Sequence, residues 1–134
     1  MNDNDFSAAV SERRFGGIAR LYGADALNRF AAAHVCVVGV GGVGSWAVEA
    51  LTRSGIGALT LIDLDNVAES NVNRQLHALT CDFGKAKVTA LHERILQINP
   101  ACRVTEIEDF VTEDNLPVLF RRPFDFVIDA IDQM

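Results

Sequence analysis

Short apolar runs alternate with longer amphipathic segments along most of this chain. The first of the four runs predicted as strands is nearly unbroken and rich in β-branched residues, whereas the segments between the runs repeat apolar residues every three or four positions, as helices do. The predicted strands span residues 35–40, 58–63, 103–107 and 124–131, and the predicted helices between them span residues 43–54, 85–98 and 114–120. This alternation predicts an α/β fold in which one parallel sheet has helices on both faces.

The residues before the first predicted strand favour helices. An Ala-rich segment over residues 24–33 has helical spacing, and a shorter helix is expected over residues 11–22, with a break at Gly16-Gly17. Residues 1–10 are expected to be frayed. Two helices should therefore precede the sheet.

Two of the later helices have an apolar stripe and a recognisable end. In the helix over residues 43–54, the stripe expected to face the core consists of Val43, Trp46, Ala47, Ala50 and Leu51. Gly55 follows this helix and can serve as its C-cap. In the helix over residues 85–98, the stripe consists of Val88, Leu91, Ile95 and Ile98.

Composition and charge narrow the class of protein. With 134 residues, 49% of them hydrophobic, the chain can bury about two thirds of its unfolded surface in one compact domain. No apolar run approaches the roughly 18 residues that span a bilayer, and the acidic N-terminus is unlike a signal peptide, so a cytoplasmic protein without a membrane segment is expected. With a formal net charge of −6, any nucleic-acid contact must be local or lie elsewhere.

The three cysteines indicate no metal or disulfide chemistry. They are odd in number and contain no C-x-x-C pair, which fits neither a disulfide framework nor a complete zinc site. Cys36 lies within an apolar strand and is expected to be inert core. Neither Cys81 nor Cys102 has the neighbours of an activated nucleophile.

A glycine-rich turn follows the first predicted strand. It reads Gly-Val-Gly-Gly-Val-Gly over residues 39–44, the strand–turn–helix pattern of a Rossmann-like dinucleotide-binding domain. Gly39 would allow a sharp turn, and Gly44 would allow the helix to pack closely on the strand. Gly41 and Gly42 would let the backbone approach phosphate without a β-carbon in the way. The turn therefore predicts nucleotide binding.

Polar residues follow at the carboxyl ends of the strands, where α/β sheets bind ligands. Asp63 follows Gly44 by 19 residues and stands where an acid usually accepts hydrogen bonds from ribose. Asn71 and Gln75 could bind ribose or phosphate by neutral hydrogen bonds.

Charged residues then favour ATP over a redox dinucleotide. Arg74 and Lys87 provide two cations for a triphosphate, and either Asp129 or Asp132 could hold Mg²⁺. Hydride transfer would instead require a nicotinamide pocket.

Five motifs together resemble one family. They read Gly39-x-Gly-Gly-x-Gly-Ser45, Asp63-Leu-Asp65, Ser70-Asn-Val-Asn-Arg-Gln75, Gly84-Lys-Ala-Lys87 and Asp129-Ala-Ile-Asp132. The combination covers almost the whole chain and resembles the ThiF/MoeB/HesA family, adenylating relatives of ubiquitin-activating enzymes. Within that family, residues 14–23 and 98–103 are similar to the tRNA threonylcarbamoyladenosine dehydratases.

The resemblance implies roles for particular residues. It implies that Asp63 binds the adenosine ribose and that Asn71, Arg74 and Lys87 bind the ATP phosphates. Asp132 would bind Mg²⁺ and act with Arg74 and Lys87 in catalysis. Asp65, Gln75 and the four loop glycines, Gly39, Gly41, Gly42 and Gly44, would complete the ATP site.

The resemblance also implies a reaction and partners. The carboxylate of threonylcarbamoyladenosine on tRNA would be adenylated by ATP, and the activated group would then close a ring with net loss of water. Expected partners are tRNA, a second copy in a homodimer and a sulfur-transfer protein. The chain is expected to be an N-terminal half, with residues 1–33 as a helical segment and residues 34–134 as the ATP-binding domain.

One departure from the family pattern leaves a question open. Sulfur-carrier adenylating members have Arg-x-x-Arg near the N-terminus, and its second arginine reaches the ATP of the partner subunit, but here Gly17 stands at that place. Arg13, Arg14 or Arg20 could replace it. Two alternative functions also remain open, a sulfur-carrier-protein adenylyltransferase and an NAD-binding redox module.

Overall fold

The computed structural model describes residues 3–132 and contains two helices followed by alternating strands and helices. The elements are α1 (Asp3–Tyr22), α2 (Ala24–Ala32), β1 (His34–Val38), α3 (Gly44–Arg53), β2 (Ala58–Ile62), α4 (Lys87–Ile98), β3 (Arg103–Ile107), α5 (Leu116–Leu119) and β4 (Phe126–Asp129). Every element predicted after residue 23 is confirmed, with its ends within two residues of the prediction. Across these residues, no helix is both long enough and apolar enough to cross a membrane.

The four strands form one parallel sheet in the order β3-β2-β1-β4. At the carboxyl end of β1, Val38 pairs with Ile62 of β2 on one side and with Asp129 of β4 on the other. The chain leaves β1 toward one edge of the sheet and later returns to the other edge. Parallel sheets bind ligands in the crevice beside such a reversal, which here lies directly after β1.

Alternate residues of β1 and β2 face two different cores. Val35, Val37, Leu59 and Leu61 pack with residues of α3 and α4, among them Val48, Val88, Leu91 and Ile95. Cys36, Val38 and Ile62 pack with residues around α5, among them Leu119, Phe120 and Phe124. Because burying such a side chain stabilises the fold by about 1.5–3 kcal/mol, the central strands are a rigid base for the loops that follow them. The predicted sheet with helices on both faces is confirmed.

Helix α1 corrects two predictions. Residues 3–22 form one helix that passes through Gly16-Gly17, so the expected break and the expected fraying of residues 3–10 are wrong. Residues 1 and 2 lie outside the described residues. Each glycine costs a helix about 1 kcal/mol relative to alanine. Burial of Phe15, which packs against Gly55, offsets that cost.

Helix α3 buries a different face from the one predicted. Its buried residues include Ser45, Val48 and Thr52, whereas Val43 and Trp46 are exposed. The prediction from hydrophobicity was wrong because the hydroxyl groups of Ser45 and Thr52 donate to carbonyl oxygens four residues earlier. With that bond made, a hydroxyl can be buried at little cost. The face bearing Trp46 is left to solvent.

The carboxyl end of α3 is formed as predicted. Gly55 has φ of +87°, a conformation that favours glycine. The N–H groups of Gly55 and Ile56 donate to the carbonyl oxygens of Thr52 and Leu51 at 3.1 and 3.2 Å. This is the Schellman arrangement, which satisfies the last carbonyls of the helix.

The cysteines have the environments expected of bystanders. Cys36 is fully buried, and burial raises the pKa of its thiol to about 11. Burial likewise raises the pKa of Cys102 to about 11. Both thiols are therefore protonated at neutral pH, and the prediction that Cys36 is inert core is confirmed.

Candidate functional site

The glycine loop, residues 39–44, contains two positions where any larger residue would collide with backbone. Gly39 has φ of +86°, and a β-carbon there would lie 2.8 Å from the carbonyl oxygen of Ala130. At Gly44, a β-carbon would overlap the carbonyl oxygen of Gly39. These contacts give both glycines the steric roles predicted for them, in the turn and in helix packing.

The other two glycines, Gly41 and Gly42, leave enough room for a β-carbon. A β-carbon at Gly41 or Gly42 would meet only the side chains of Gln75 and Arg74, at 3.6 and 3.7 Å. Within residues 3–132, no acceptor receives the backbone N–H groups of Gly41, Gly42 or Val43. Because these groups precede α3, they combine with the positive end of the helix dipole to favour an anion here.

Asp63 follows β2 directly and supports the glycine loop. Its Oδ2 accepts the N–H of Val40 at 2.9 Å, and its Oδ1 accepts the N–H of Asp65 at 2.8 Å. Each carboxylate oxygen can accept a second hydrogen bond. Asp63 can therefore hold the loop and a ribose hydroxyl at the same time.

Two side chains at the start of α3 fasten the long loop between β2 and α4. Ser45 Oγ accepts the N–H of Leu76 at 3.2 Å, and Trp46 Nε1 donates to the carbonyl oxygen of Arg74 at 2.9 Å. Neither bond was predicted from the sequence, because Trp46 was expected to face the core. Their one signal in the sequence is that both residues follow the last loop glycine. As a result, Arg74 is held beside the glycine loop, and its side chain passes over Gly42.

His77 joins this loop to the glycine loop itself. The side chain is 2% exposed, and its Nε2 lies 2.8 Å from the carbonyl oxygen of Val40. A carbonyl only accepts, so Nε2 carries the proton and Nδ1 is an acceptor. Burial lowers the pKa of His77, and the charge of Lys87 lowers it further, which keeps the ring neutral at pH 7. Among the described residues, Nδ1 is buried with no partner.

Lys87 is a buried cation with little to pair with. It begins α4, its residue is 6% exposed, and the nearest carboxylate oxygen is Asp65 Oδ2 at 3.9 Å, beyond hydrogen-bonding distance. A cation at the amino end of a helix is opposed by the helix dipole. A buried charge without a partner is also costly. This placement is unfavourable for folding and favours an anionic ligand.

Asn71 and Gln75 offer different groups to a ligand. Asn71 Oδ1 accepts the N–H of Ala68 at 2.9 Å, which leaves its NH₂ group as a donor suited to phosphate. Gln75 lies against Gly41, and its buried Oε1 has no partner among the described residues. A free carbonyl oxygen suits a hydroxyl or amino group and not a phosphate. The structure thus separates two residues that the sequence grouped together.

The carboxylates at the carboxyl end of β4 are exposed. Asp129 Oδ1 accepts the N–H of Ile131 at 3.1 Å, and Asp132 is likewise exposed. Over residues 3–132, no group of three or more His, Cys, Asp or Glu side chains is placed to hold a metal ion. Mg²⁺ is commonly bound through one or two carboxylates together with substrate phosphates, so a single aspartate here fits that ion.

Arg14 contacts its own chain far from the glycine loop. Its Nη1 donates to the carbonyl oxygens of Gln97 and Ile98, both at 3.0 Å, at the carboxyl end of α4. A groove of about 450 Å³ beside it is also lined by Arg53 and Arg94. Those two arginines pair with Glu49, and the hydrogen bonds from Arg94 hold the pKa of Glu49 below its usual value. This cluster joins α1, α3 and α4, at the opposite end of α3 from the glycine loop.

Comparison with known proteins finds a matching family profile and similar proteins. The ThiF family profile matches residues 16–134. The tRNA threonylcarbamoyladenosine dehydratase of Escherichia coli is 60% identical over 122 residues, which are 91% of this chain and 46% of that protein. The sulfur carrier protein adenylyltransferase of Thermus thermophilus is 35% identical over 82% of this chain and 40% of that protein.

A solved structure agrees with the fold. The crystal structure of the E. coli dehydratase TcdA in complex with ATP matches with a TM-score of 0.90 and 60% identity, over 91% of this chain and 50% of that one. The chain thus spans about half the length of the relatives it matches.

Proposed function

The chain belongs to the ThiF family, and from this premise we propose that it binds ATP at the glycine loop and activates a carboxylate by adenylation. The E. coli relative is named a tRNA threonylcarbamoyladenosine dehydratase and was solved with ATP. That relative supports threonylcarbamoyladenosine in tRNA as the carboxylate substrate. Since the chain spans about half of that protein, the activity of the whole enzyme is part of the proposal, as are a homodimer and a cytoplasmic location.

The observation that carries the proposal is the cation of Lys87, on a residue that is only 6% exposed. Its charge has only Asp65 near it, at 3.9 Å, and it acts on His77, which is bonded to the glycine loop. Free backbone N–H groups lie in the same loop. A triphosphate would satisfy both, because it brings several anionic oxygens to one place.

The other residues of the site then have separate tasks. Arg74 and the NH₂ group of Asn71 bind phosphate oxygens, and Asp63 accepts hydrogen bonds from the ribose hydroxyls. Gln75 accepts a hydrogen bond from a hydroxyl or amino group of the nucleotide. Asp65 orients Lys87, its nearest cation. These tasks follow from the donors and acceptors that each side chain has free.

Mg²⁺ fits the exposed carboxylate side of the site. Asp132 would hold it, with Asp129 as the alternative, and the ion would neutralise charge on the ATP phosphates.

The reaction is a substitution at the α-phosphate. A carboxylate oxygen of the threonylcarbamoyl group forms a bond to the α-phosphorus, and the bond to the bridging oxygen breaks to release pyrophosphate. Arg74 and Lys87 stabilise the negative charge on the phosphates as it redistributes. The carbamoyl group then attacks the activated carbonyl carbon, AMP leaves, and the ring closes with net loss of water. The chain's part is to position the two reactants and supply cations.

Substitution of the two charged residues tests the proposal. In the protein as its gene encodes it, Arg74→Ala and Asp132→Ala should each lower ATP-dependent dehydration of tRNA by about a hundredfold or more, with an unchanged circular dichroism spectrum. Arg121→Ala and Asp114→Ala are matched controls, because both residues are exposed and distant in sequence from the site motifs. Near-normal turnover by either site variant would overturn the assignment.

The Thermus relative favours a second candidate, adenylation of a sulfur-carrier protein, for which a sulfur-transfer protein would be a further partner. ATP–pyrophosphate exchange stimulated by modified tRNA supports the first function, and exchange stimulated by a carrier protein supports the second. Calorimetric titration with ATP·Mg²⁺ and with NAD completes the test, since NAD binding without ATP binding would exclude both.

A further inference from the structure

Trp46 is the one tryptophan of this chain, and it is exposed. It lies in the first turn of α3 with 52% of its surface accessible. Tryptophan is usually well buried, because its ring loses more water-exposed apolar area on burial than any other side chain. An exposed indole beside a candidate nucleotide site therefore calls for a binding role.

The indole is held in one orientation. Its Nε1 donates to the carbonyl oxygen of Arg74 at 2.9 Å. Nε1 is the sole polar atom of the side chain, so the exposed part of the ring is carbon surface. A ring fixed in this way is already ordered before a ligand arrives, which lowers the entropy lost on binding.

The surroundings of the ring combine apolar surface with positive charge. Val43 is the N-cap of α3, three residues before Trp46, and is exposed, and Val72, two residues before Arg74 in the loop bonded to the indole, is also exposed. Arg74 is exposed, and its side chain lies over Gly42 of the glycine loop. We define Val43, Trp46, Val72 and Arg74 as the Trp46 platform.

We propose that the Trp46 platform binds an unpaired nucleobase of the RNA substrate by stacking on the indole. The proposal rests on the proposed function, in which tRNA presents its carboxylate to ATP beside the glycine loop. Proteins recognise unpaired RNA bases by stacking them on aromatic rings, with cations contacting the adjacent phosphates. An acidic chain with net charge −6 gains little from non-specific attraction to phosphate, so stacking is the contact this surface can offer.

Intrinsic fluorescence tests the contact, because the emission that the Trp46→Phe protein lacks is the emission of Trp46. A short single-stranded oligoribonucleotide should quench the emission, whereas polyphosphate, which has no bases, should leave it unchanged. Binding is followed in parallel by anisotropy of the labelled RNA. Bound RNA without quenching, or equal quenching by polyphosphate, would overturn the proposal.

Two substitutions separate stacking from the bond to Arg74. Trp46→Phe and Trp46→Leu both remove the N–H donor, but only Trp46→Phe keeps an aromatic face. Because both variants free Arg74 from its bond to the indole, we expect both to raise the KM for ATP by a similar factor. Trp46→Leu alone should also raise the KM for tRNA about tenfold, whereas Trp46→Phe should retain most of the affinity for tRNA. Tyr22→Leu, at an exposed aromatic residue that ends α1, is the control and should change neither constant.

The outcomes separate a failure of the stacking proposal from a failure of the proposed function. An equal rise in the KM for tRNA in both Trp46 variants would mean that the indole only positions Arg74, and the stacking proposal would be wrong. The same conclusion holds if neither variant changes the KM for tRNA. Failure of the unsubstituted protein to dehydrate tRNA would instead refute the proposed function.

Discussion

The two sides of the candidate site are held in different ways. On the β2 side, Asn71, Gln75, His77 and Lys87 are buried, and the loop that carries them is bonded to the glycine loop and to α3. On the β4 side, Asp129 and Asp132 are exposed. Ordering an exposed side chain costs entropy when the ligand binds, whereas a buried one is ordered already. The proposed phosphate-binding side is therefore largely preorganised, although Arg74 is exposed, whereas the proposed metal-binding side would be ordered when a ligand binds.

The largest expected effect is at the glycine that joins the loop to α3. Gly44→Ala should lower the free energy of unfolding by about 3 kcal/mol or more, because its β-carbon would overlap the carbonyl oxygen of Gly39. Gly42→Ala meets only ordinary contacts with Arg74 at 3.7 Å, so it should keep the stability but weaken ATP binding. Urea unfolding and calorimetry measure the two effects. Equal stability of the two variants would contradict the preorganised loop.

Lys87 provides the second test, in which stability and binding move in opposite directions. Lys87→Met should lower ATP affinity by about a hundredfold while stability stays equal or rises, because the substitution removes a loosely paired cation from the amino end of a helix. Lys85→Met is the matched control. Lys85 pairs with Asp82 and Glu93 at the surface, so its loss should change stability little and leave ATP binding intact. Unfolding of the Lys87→Met protein would show that the ammonium is structural.

Substitution of one aspartate on each side, Asp63 on the β2 side and Asp129 on the β4 side, compares their contributions to stability directly. Asp63→Asn replaces one acceptor oxygen by NH₂, so the N–H of Val40 or of Asp65 loses its partner. The expected cost is about 1–3 kcal/mol. Asp129→Asn should change stability by less than about 0.5 kcal/mol, since that side chain is exposed. Thermal unfolding of both variants measures the contrast, and similar losses at the two positions would remove it.

Much of the fold was predictable because the spacing of apolar residues and the residues that end helices indicate the same elements. The buried stripe of α4, with Val88, Leu91 and Ile95, and the end of α3 at Gly55 are confirmed. The face of α3 was not predictable from hydrophobicity, because Ser45 and Thr52 are buried through bonds that involve the helix backbone. The loop of residues 66–83 shows the same limit: Leu79 is exposed, while the smaller Val67 and Ala78 are buried.

The chemistry of the site was predictable by residue type, but the bonds that position it were not. Arg74 and Lys87 follow from charge and from their place after the strands, and the structure brings both near the glycine loop. The bond from His77 to Val40 joins residues 37 positions apart. Spacing alone cannot reveal such a contact, because it depends on how the loop crosses β1.

His77 gives the smallest and most specific prediction, a pH dependence of stability on the preorganised side. Burial lowers its pKa below 6.5 in the folded protein, while the unfolded chain keeps the ordinary value. The unfolded state thus binds more protons as the pH falls below 6.5, so stability should decrease there, by at most about 1.4 kcal/mol per pH unit. His77→Gln keeps an N–H that can reach Val40 but cannot titrate, so its stability should fall less between pH 7 and pH 5. The pKa of His34 is also lowered, but that effect is common to both proteins and cancels. Identical pH profiles in urea unfolding would show that His77 does not carry the buried neutral ring inferred here.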